Sequence, residues 1–267
     1  MDFQWSEWVN LIARWVHVFA GILWVGSTYY FTWLDGRFSE EEKSGKEKPE
    51  VWMVHSGGFY AVEKRKMPDL TRELHWFRYE ALFTWLSGLV LLFVVYYLGG
   101  LMVEAGSRIS EGMAHGIGVM SLIFGWVIYD LLMMSPLGKN EKAAACVFFA
   151  LIAAASYGLC QVLSGRAAYM HIGAILGTIM TGNVWQRILP AQRRMVKAVK
   201  EGREPDAALA ARAKLRSKQN TYMAVPVVFI MISNHFPVAT YGNTYNWQVL
   251  CVMVLAGWAA ARLIRRA

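Results

Sequence analysis

The sequence predicts an all-α fold, a polytopic transmembrane helix bundle, and three observations carry that expectation. Hydrophobic residues make up 56% of the 267 and charged residues only 17%, with a mean hydropathy of +0.30, a balance typical of membrane proteins and not of soluble domains. The apolar residues gather into seven long runs, most of them near the ~20 residues that cross the hydrocarbon core at ~1.5 Å per helical residue. The basic residues gather in the connections between alternate runs.

The first run is Trp8 to Asp35, WVNLIARWVHVFAGILWVGSTYYFTWLD. Arg14 and His17 are three residues apart and share one helical face, with Gly21 one turn further along it. Polar groups are costly in hydrocarbon and usually face the bundle interior. This face either packs on a neighbouring helix through one hydrogen-bonded histidine or borders a cofactor or ion site. No basic stretch precedes the run and no small-residue cleavage site comes after it, so it reads as a mature span. The seven spans fall at about 8–31, 76–98, 113–134, 144–163, 168–190, 221–236 and 246–264. The sixth reads as short and broken by Pro226, whose missing N–H requires a kink or a neighbour's help. Residues 1–267 thus form one transmembrane domain with two long cytoplasmic connections, 36–75 and 191–220. The first begins with SEEEKSGKEKPE, a solvated linker, and continues into VWMVHSGGFYAVEKRK, whose Trp52, Phe59 and Tyr60 suit a membrane interface. The second reads as a basic surface helix interrupted by Gly202 and Pro205.

Orientation comes from Lys and Arg. The connections 32–75, 135–143, 191–220 and the tail hold 22, Lys46, Lys66, Arg72 and Arg216 among them, against only Arg108 and Arg166 in the others. The positive-inside rule places the N-terminus outside and the C-terminus, Ala267, in the cytoplasm. The net charge of +8 is therefore a topology signal and a contact with anionic membrane lipid, not a nucleic-acid surface. Cys146, Cys160 and Cys251 sit in apolar runs and read as small core residues. Neither C-x-x-C nor C-x-x-C-H occurs, so nothing signals a covalent c-type haem.

In that orientation His115 opens the third span, His171 opens the fifth and His235 closes the sixth, all on the outer side. His17 lies about 14 Å into the first span. Imidazole is a common ligand of haem iron and metals. Four histidines from four helices in one half of the bundle predict a haem b or metal site. His17 and His171 are the first choice as iron ligands, and His115 and His235 the next. Each alone has a plainer role as a helix-end or hydrogen-bonded residue. Arg14 and Arg166, on the same side, either pair with haem propionates or an anionic substrate or anchor helices at the interface. The inner half holds Glu80, Asp130, Asn183 and Arg187. A carboxylate there either exchanges protons or forms a packing ion pair with Arg78 or Arg187. Trp5, Trp8, Trp33, Tyr96, Tyr97 and Trp247, near span ends, read as interfacial belt.

Five segments carry a wider likeness: RWVHVFAGILWVGSTYYFTWLD, ELHWFRYEALFTWLSG, GWVIYD, SGRAAYMHIGAILGTIMTGNVWQRILPAQR and RSKQNTYMAVPVVFIMISNHFP. In this order they resemble successive segments of the membrane domain of bacterial urate hydroxylase, the membrane-bound, cytochrome c-linked urate oxidase. The likeness runs from about residue 14 to 237. It implies a multi-pass protein of the bacterial inner membrane that oxidises urate to 5-hydroxyisourate in purine degradation, with electrons leaving by a c-type cytochrome. The family's polar motif positions fall here on Arg14, His17, His75, Glu80, Asp130, Arg166, His171, Asn183, Asn220, Asn234 and His235. The resemblance does not assign the urate contacts among them. Full-length members continue into a further helix and a cytochrome c domain, whereas this sequence ends at Ala267. The expected acceptor is therefore a separate c-type cytochrome, with a quinone or a diverged function as alternatives. Two other readings stand beside this one: a haem b electron-transfer subunit with another substrate, and a non-redox transporter or copper-handling protein.

Overall fold

The computed structural model describes residues 5–45, 48–65 and 73–266. Lys46, Lys66, Arg72 and Ala267, which the topology reading uses, lie outside the described residues. The elements in order are α1 (Trp5–Lys43), β1 (Glu50–His55), β2 (Gly58–Glu63), α2 (Tyr79–Leu92), α3 (Glu111–Met134), α4 (Glu141–Val162), α5 (Gly165–Gly182), α6 (Leu189–Lys200), α7 (Ala207–Ser233) and α8 (Asn246–Ile264). The all-α expectation fits, with one antiparallel hairpin, β1–β2, as the departure among the described residues. Side-chain oxygens start four of the helices. Ser110, Asn140, Ser164 and Asp206 accept from the backbone N–H groups of Met113, Ala143, Ala167 and Ala208, donors with no partner inside their helices.

Five helices are long and apolar enough to cross a membrane: α1, α2 with the turn at its end, α3, α4 and α8. The helices α5 and α7, which hold the expected fifth and sixth spans, are not among them. The reason is position. Helix α5 is the innermost, and its Ala167, Tyr169, Ile172 and Leu176 are buried in the main core with side chains of α3, α4, α7 and α8. Inner helices carry the buried polar groups, here His171, Arg216 and Asn220, and so score as less apolar. The outer helices expose Trp15, Phe19 and Ile22 of α1 and Ile123, Phe124 and Leu131 of α3, the kind of surface that lipid solvates.

Three sequence expectations do not hold. Helix α7 is neither short nor broken, because it runs 27 residues straight through Pro226. The ring is received by Gly257 of α8, where an added Cβ would lie 2.8 Å from Pro226 Cδ; a residue without Cβ lets the helices approach this closely. Residues Ser39–Lys43 of the expected linker are the last turn of α1, and the segment after it is the hairpin. Arg216, counted as a loop cation, is a buried residue of α7. The charge asymmetry survives its removal.

Helices α2 and α5 each end in a wide π turn, at Phe93–Tyr97 and Asn183–Ile188. In the first, the Leu98 N–H reaches back five residues to the Phe93 carbonyl at 2.9 Å. Such a turn inserts a residue and rotates the next stretch of chain onto another face. Both turns lie where the candidate site groups gather.

Candidate active site

Two polar clusters occupy opposite ends of α5. At its start, the His171 side chain is fully buried. Its Nδ1 lies 2.7 Å from the Ala167 carbonyl, which can only accept, so Nδ1 carries the proton and Nε2 is a bare acceptor. The Tyr97 hydroxyl donates to that Nε2 at 3.1 Å. The Tyr97 ring in turn stacks on His115, with centroids 4.9 Å apart. His115 Nε2 is buried without a hydrogen-bond partner. Gly118 of α3 admits this arrangement: an added Cβ would lie 2.3 Å from the Tyr97 hydroxyl and 2.6 Å from His171 Nε2.

Beside this group, Arg166 Nε donates to Asn234 Oδ1 at 2.9 Å, and the Tyr96 hydroxyl donates to the same oxygen at 3.2 Å. The guanidinium sits 5.7 Å from the centre of the Tyr96 ring. Arg166 is half-buried and has no carboxylate partner among the described residues. A cation fixed by one nitrogen, over a ring and without a counter-ion, suits a planar anion.

The second cluster lies at the other end of α5. Asp130 of α3 accepts from Arg187 Nε at 2.9 Å, from a second Arg187 nitrogen, and from Arg216 at 2.7 Å. Arg216 also donates to Asn183 Oδ1 at 3.3 Å. Asn183 Nδ2 donates to Asn220 Oδ1 at 2.8 Å and to the Tyr129 hydroxyl at 3.0 Å, and Tyr129 donates to Gln219 Oε1 at 2.5 Å. These groups satisfy one another and tie α3, α5 and α7 together. Asp130 thus forms the ion pair with Arg187 that was one of its two expected roles, and Arg216 adds a second.

The remaining expected residues are scattered. His17 faces α2, with its Nδ1 2.8 Å from the Thr84 carbonyl and 3.3 Å from Ser87 Oγ. Gly88 receives the ring, since an added Cβ there would lie 2.9 Å from His17 Cε1. Arg14 is exposed and donates to Asn10 Oδ1 of its own helix at 3.0 Å. His235 is exposed beyond the end of α7. Glu80 lines an open groove of about 470 Å³ between α1 and α2 with Trp15, Phe19 and Phe83, and forms no ion pair among the described residues.

Of the four histidines, only His115 and His171 share a neighbour, Tyr97. His17 and His171 share no such neighbour: the first lies against Thr84, Ser87 and Gly88 of α2, the second against Tyr97 of the turn after α2, Ala167 and Gly118. The residues therefore do not fit a haem b held by His17 and His171, and no step of the proposed reaction runs through one.

Tyr96 and Tyr97 are not interfacial belt. Tyr96 is buried and Tyr97 half-buried, both hydrogen-bonded inside the bundle. The sequence signal for Arg216 was present, because Arg216, Gln219 and Asn220 recur at i, i+3 and i+4, one helical face.

The family model described as Urate oxidase N-terminal matches residues 4–265. No curated protein and no solved structure matches.

Proposed function

Because the chain belongs to the urate oxidase N-terminal family, we propose that it oxidises urate to 5-hydroxyisourate in the bacterial inner membrane and passes the electrons to a c-type cytochrome. The family match over nearly the whole chain is the observation that carries this reading. The five helices long and apolar enough to cross a bilayer support the membrane part, and the Lys and Arg asymmetry of the connections supports an N-terminus outside and a C-terminus in the cytoplasm.

The reaction is urate plus water giving 5-hydroxyisourate, two protons and two electrons. Its substrate is a planar purine, anionic at neutral pH. Arg166 offers the complementary cation, held by Asn234 over the Tyr96 ring. We assign it to the anionic edge of urate. His171 lies five residues further along α5, a rise of about 7.5 Å, and its ring meets Tyr97, the neighbour of the Tyr96 that packs on Arg166. Its bare Nε2, now taken by the Tyr97 hydroxyl, is the acceptor for a proton released as water adds to the ring. Tyr97 keeps that nitrogen hydrogen-bonded until substrate replaces it. The other cluster is internally satisfied and is assigned to holding α3, α5 and α7 in place.

The test is the origin of the oxygen. Purified protein, urate and oxidised cytochrome c under argon in ¹⁸O-labelled water should yield 5-hydroxyisourate carrying one labelled oxygen. Product formed only in air, with its added oxygen derived from O₂, would refute the reading.

A further inference from the structure

The hairpin β1–β2 stands outside the functional reading, and its position on α1 is informative. Three contacts fix its direction. At its stem, Lys64 Nζ pairs with Glu42 at 3.1 Å and sits 5.9 Å from the Phe38 ring centre. In the middle, Val51 is buried with Leu34 and Phe38, and Met53 and Val62 pack on the same cluster. Further along, Met53 Sδ accepts from the Tyr30 hydroxyl at 3.4 Å. The hairpin therefore runs back along α1, from Glu42 towards the apolar run. Strand β1 ends two residues past Met53, at His55, about 7 Å by strand rise, and so beside α1 roughly one helical turn before Tyr30, within the stretch Trp8–Phe31 read as a span.

Strand side chains alternate between faces. Val51, Met53 and Val62 face α1. The opposite face carries Trp52, Val54 and Phe59, exposed by 67%, 70% and 81%. Val54 and Phe59 are direct cross-strand partners, so they form one continuous apolar patch. A soluble protein meets its partners outside the bilayer, whereas this patch is held at the level of an apolar helix whose own neighbouring side chains, Tyr30 and Phe31, are also exposed. Aromatic side chains at such a level favour the headgroup region.

We infer that the β1–β2 hairpin is an interfacial anchor, with its Trp52, Val54 and Phe59 face seated in the headgroup and upper acyl layer of the bilayer that α1 crosses. The occupant of this surface is lipid. The inference rests on the membrane reading of α1 and is independent of the substrate.

The experiment uses the full chain in nanodiscs, with Cys146, Cys160 and Cys251 replaced and an environment-sensitive fluorophore on Phe59→Cys or, as a second site, Val54→Cys. Glu204→Cys, in the exposed turn between α6 and α7, is the aqueous reference, and Phe19→Cys, exposed on α1, the lipid reference. Probes at 59 and 54 should show blue-shifted emission, loss of iodide quenching relative to 204, and quenching by spin labels in the headgroup and upper acyl region. Iodide quenching equal to that at 204 would overturn the inference. Shielding from both quenchers would also overturn it, because protein would then cover the face. Absence of lipid quenching at 19 would overturn the membrane reading of α1, and the anchor with it.

Discussion

Replacing Asp130 by Ala should be among the most destabilising single changes in this chain. Asp130 is buried between two guanidinium groups. The Arg187 side chain is 37% exposed and would regain water, but that of Arg216 is only 8% exposed and would not. The substitution leaves two cations with no counter-ion, one of them inside the bundle. Removing one partner of a buried pair costs about 3–5 kcal/mol, mostly because the other charge is stranded. The comparison is Glu141→Gln, which breaks the exposed Glu141–Lys218 pair; such pairs contribute about 0–1 kcal/mol. A third variant, Asp130→Leu with Arg216→Met, removes both buried charges and should recover part of the loss, since an apolar replacement of a buried pair is often near neutral. The assay is equilibrium unfolding in mixed detergent micelles, followed by circular dichroism. If Asp130→Ala costs no more than Glu141→Gln, the ion pair is not what holds α3 to α7. If the double variant is less stable than Asp130→Ala alone, charge stranding is not the cause of the loss.

The same geometry sets three further outcomes. Gly118→Ala forces its methyl group onto the Tyr97 hydroxyl and His171 Nε2 and should cost about 1–3 kcal/mol by overpacking, read in the same unfolding assay; an unchanged midpoint would mean that His171 and Tyr97 do not sit against α3. Arg166→Gln should raise the KM for urate by about tenfold to a hundredfold, the equivalent of a charged hydrogen bond of ~1.5–3 kcal/mol, with Arg166→Lys intermediate; an unchanged KM would remove Arg166 from the substrate site. Fusion reporters at Ala267 and in the 237–245 connection should report opposite sides of the membrane, and finding both on one side would reject the orientation.

The helices were legible because long apolar runs are local signals. The inner pair was harder to read. Periodicity does not see α7 continuing through Pro226, because what accommodates the ring is Gly257 on another helix. The same error turned Arg216 from a buried partner of Asp130 into a surface charge. Tyr96 and Tyr97 were misread for a different reason: they sit in a π turn, whose extra residue shifts them off the face that a regular helix would give them. The hairpin was not legible, since the aromatic residues around Gly57-Gly58 carry no clean strand alternation. Its strands were obscured because both strand faces carry apolar residues, one set towards α1 and the other outward. His171 and Arg166 were legible as candidates from the side of the bundle on which they fall, but their partners Tyr97, Asn234 and Gly118 are set by tertiary contacts that spacing does not encode.

The central claim is that this chain removes electrons from urate and delivers them to a cytochrome. The purified chain, reconstituted in nanodiscs and kept free of oxygen, should reduce added ferric cytochrome c only when urate is present, with two cytochromes reduced per urate consumed. His171→Ala should abolish this reduction while His235→Ala preserves it. Failure of the wild-type chain to reduce cytochrome c in the presence of urate, despite an intact helical spectrum, would contradict the claim.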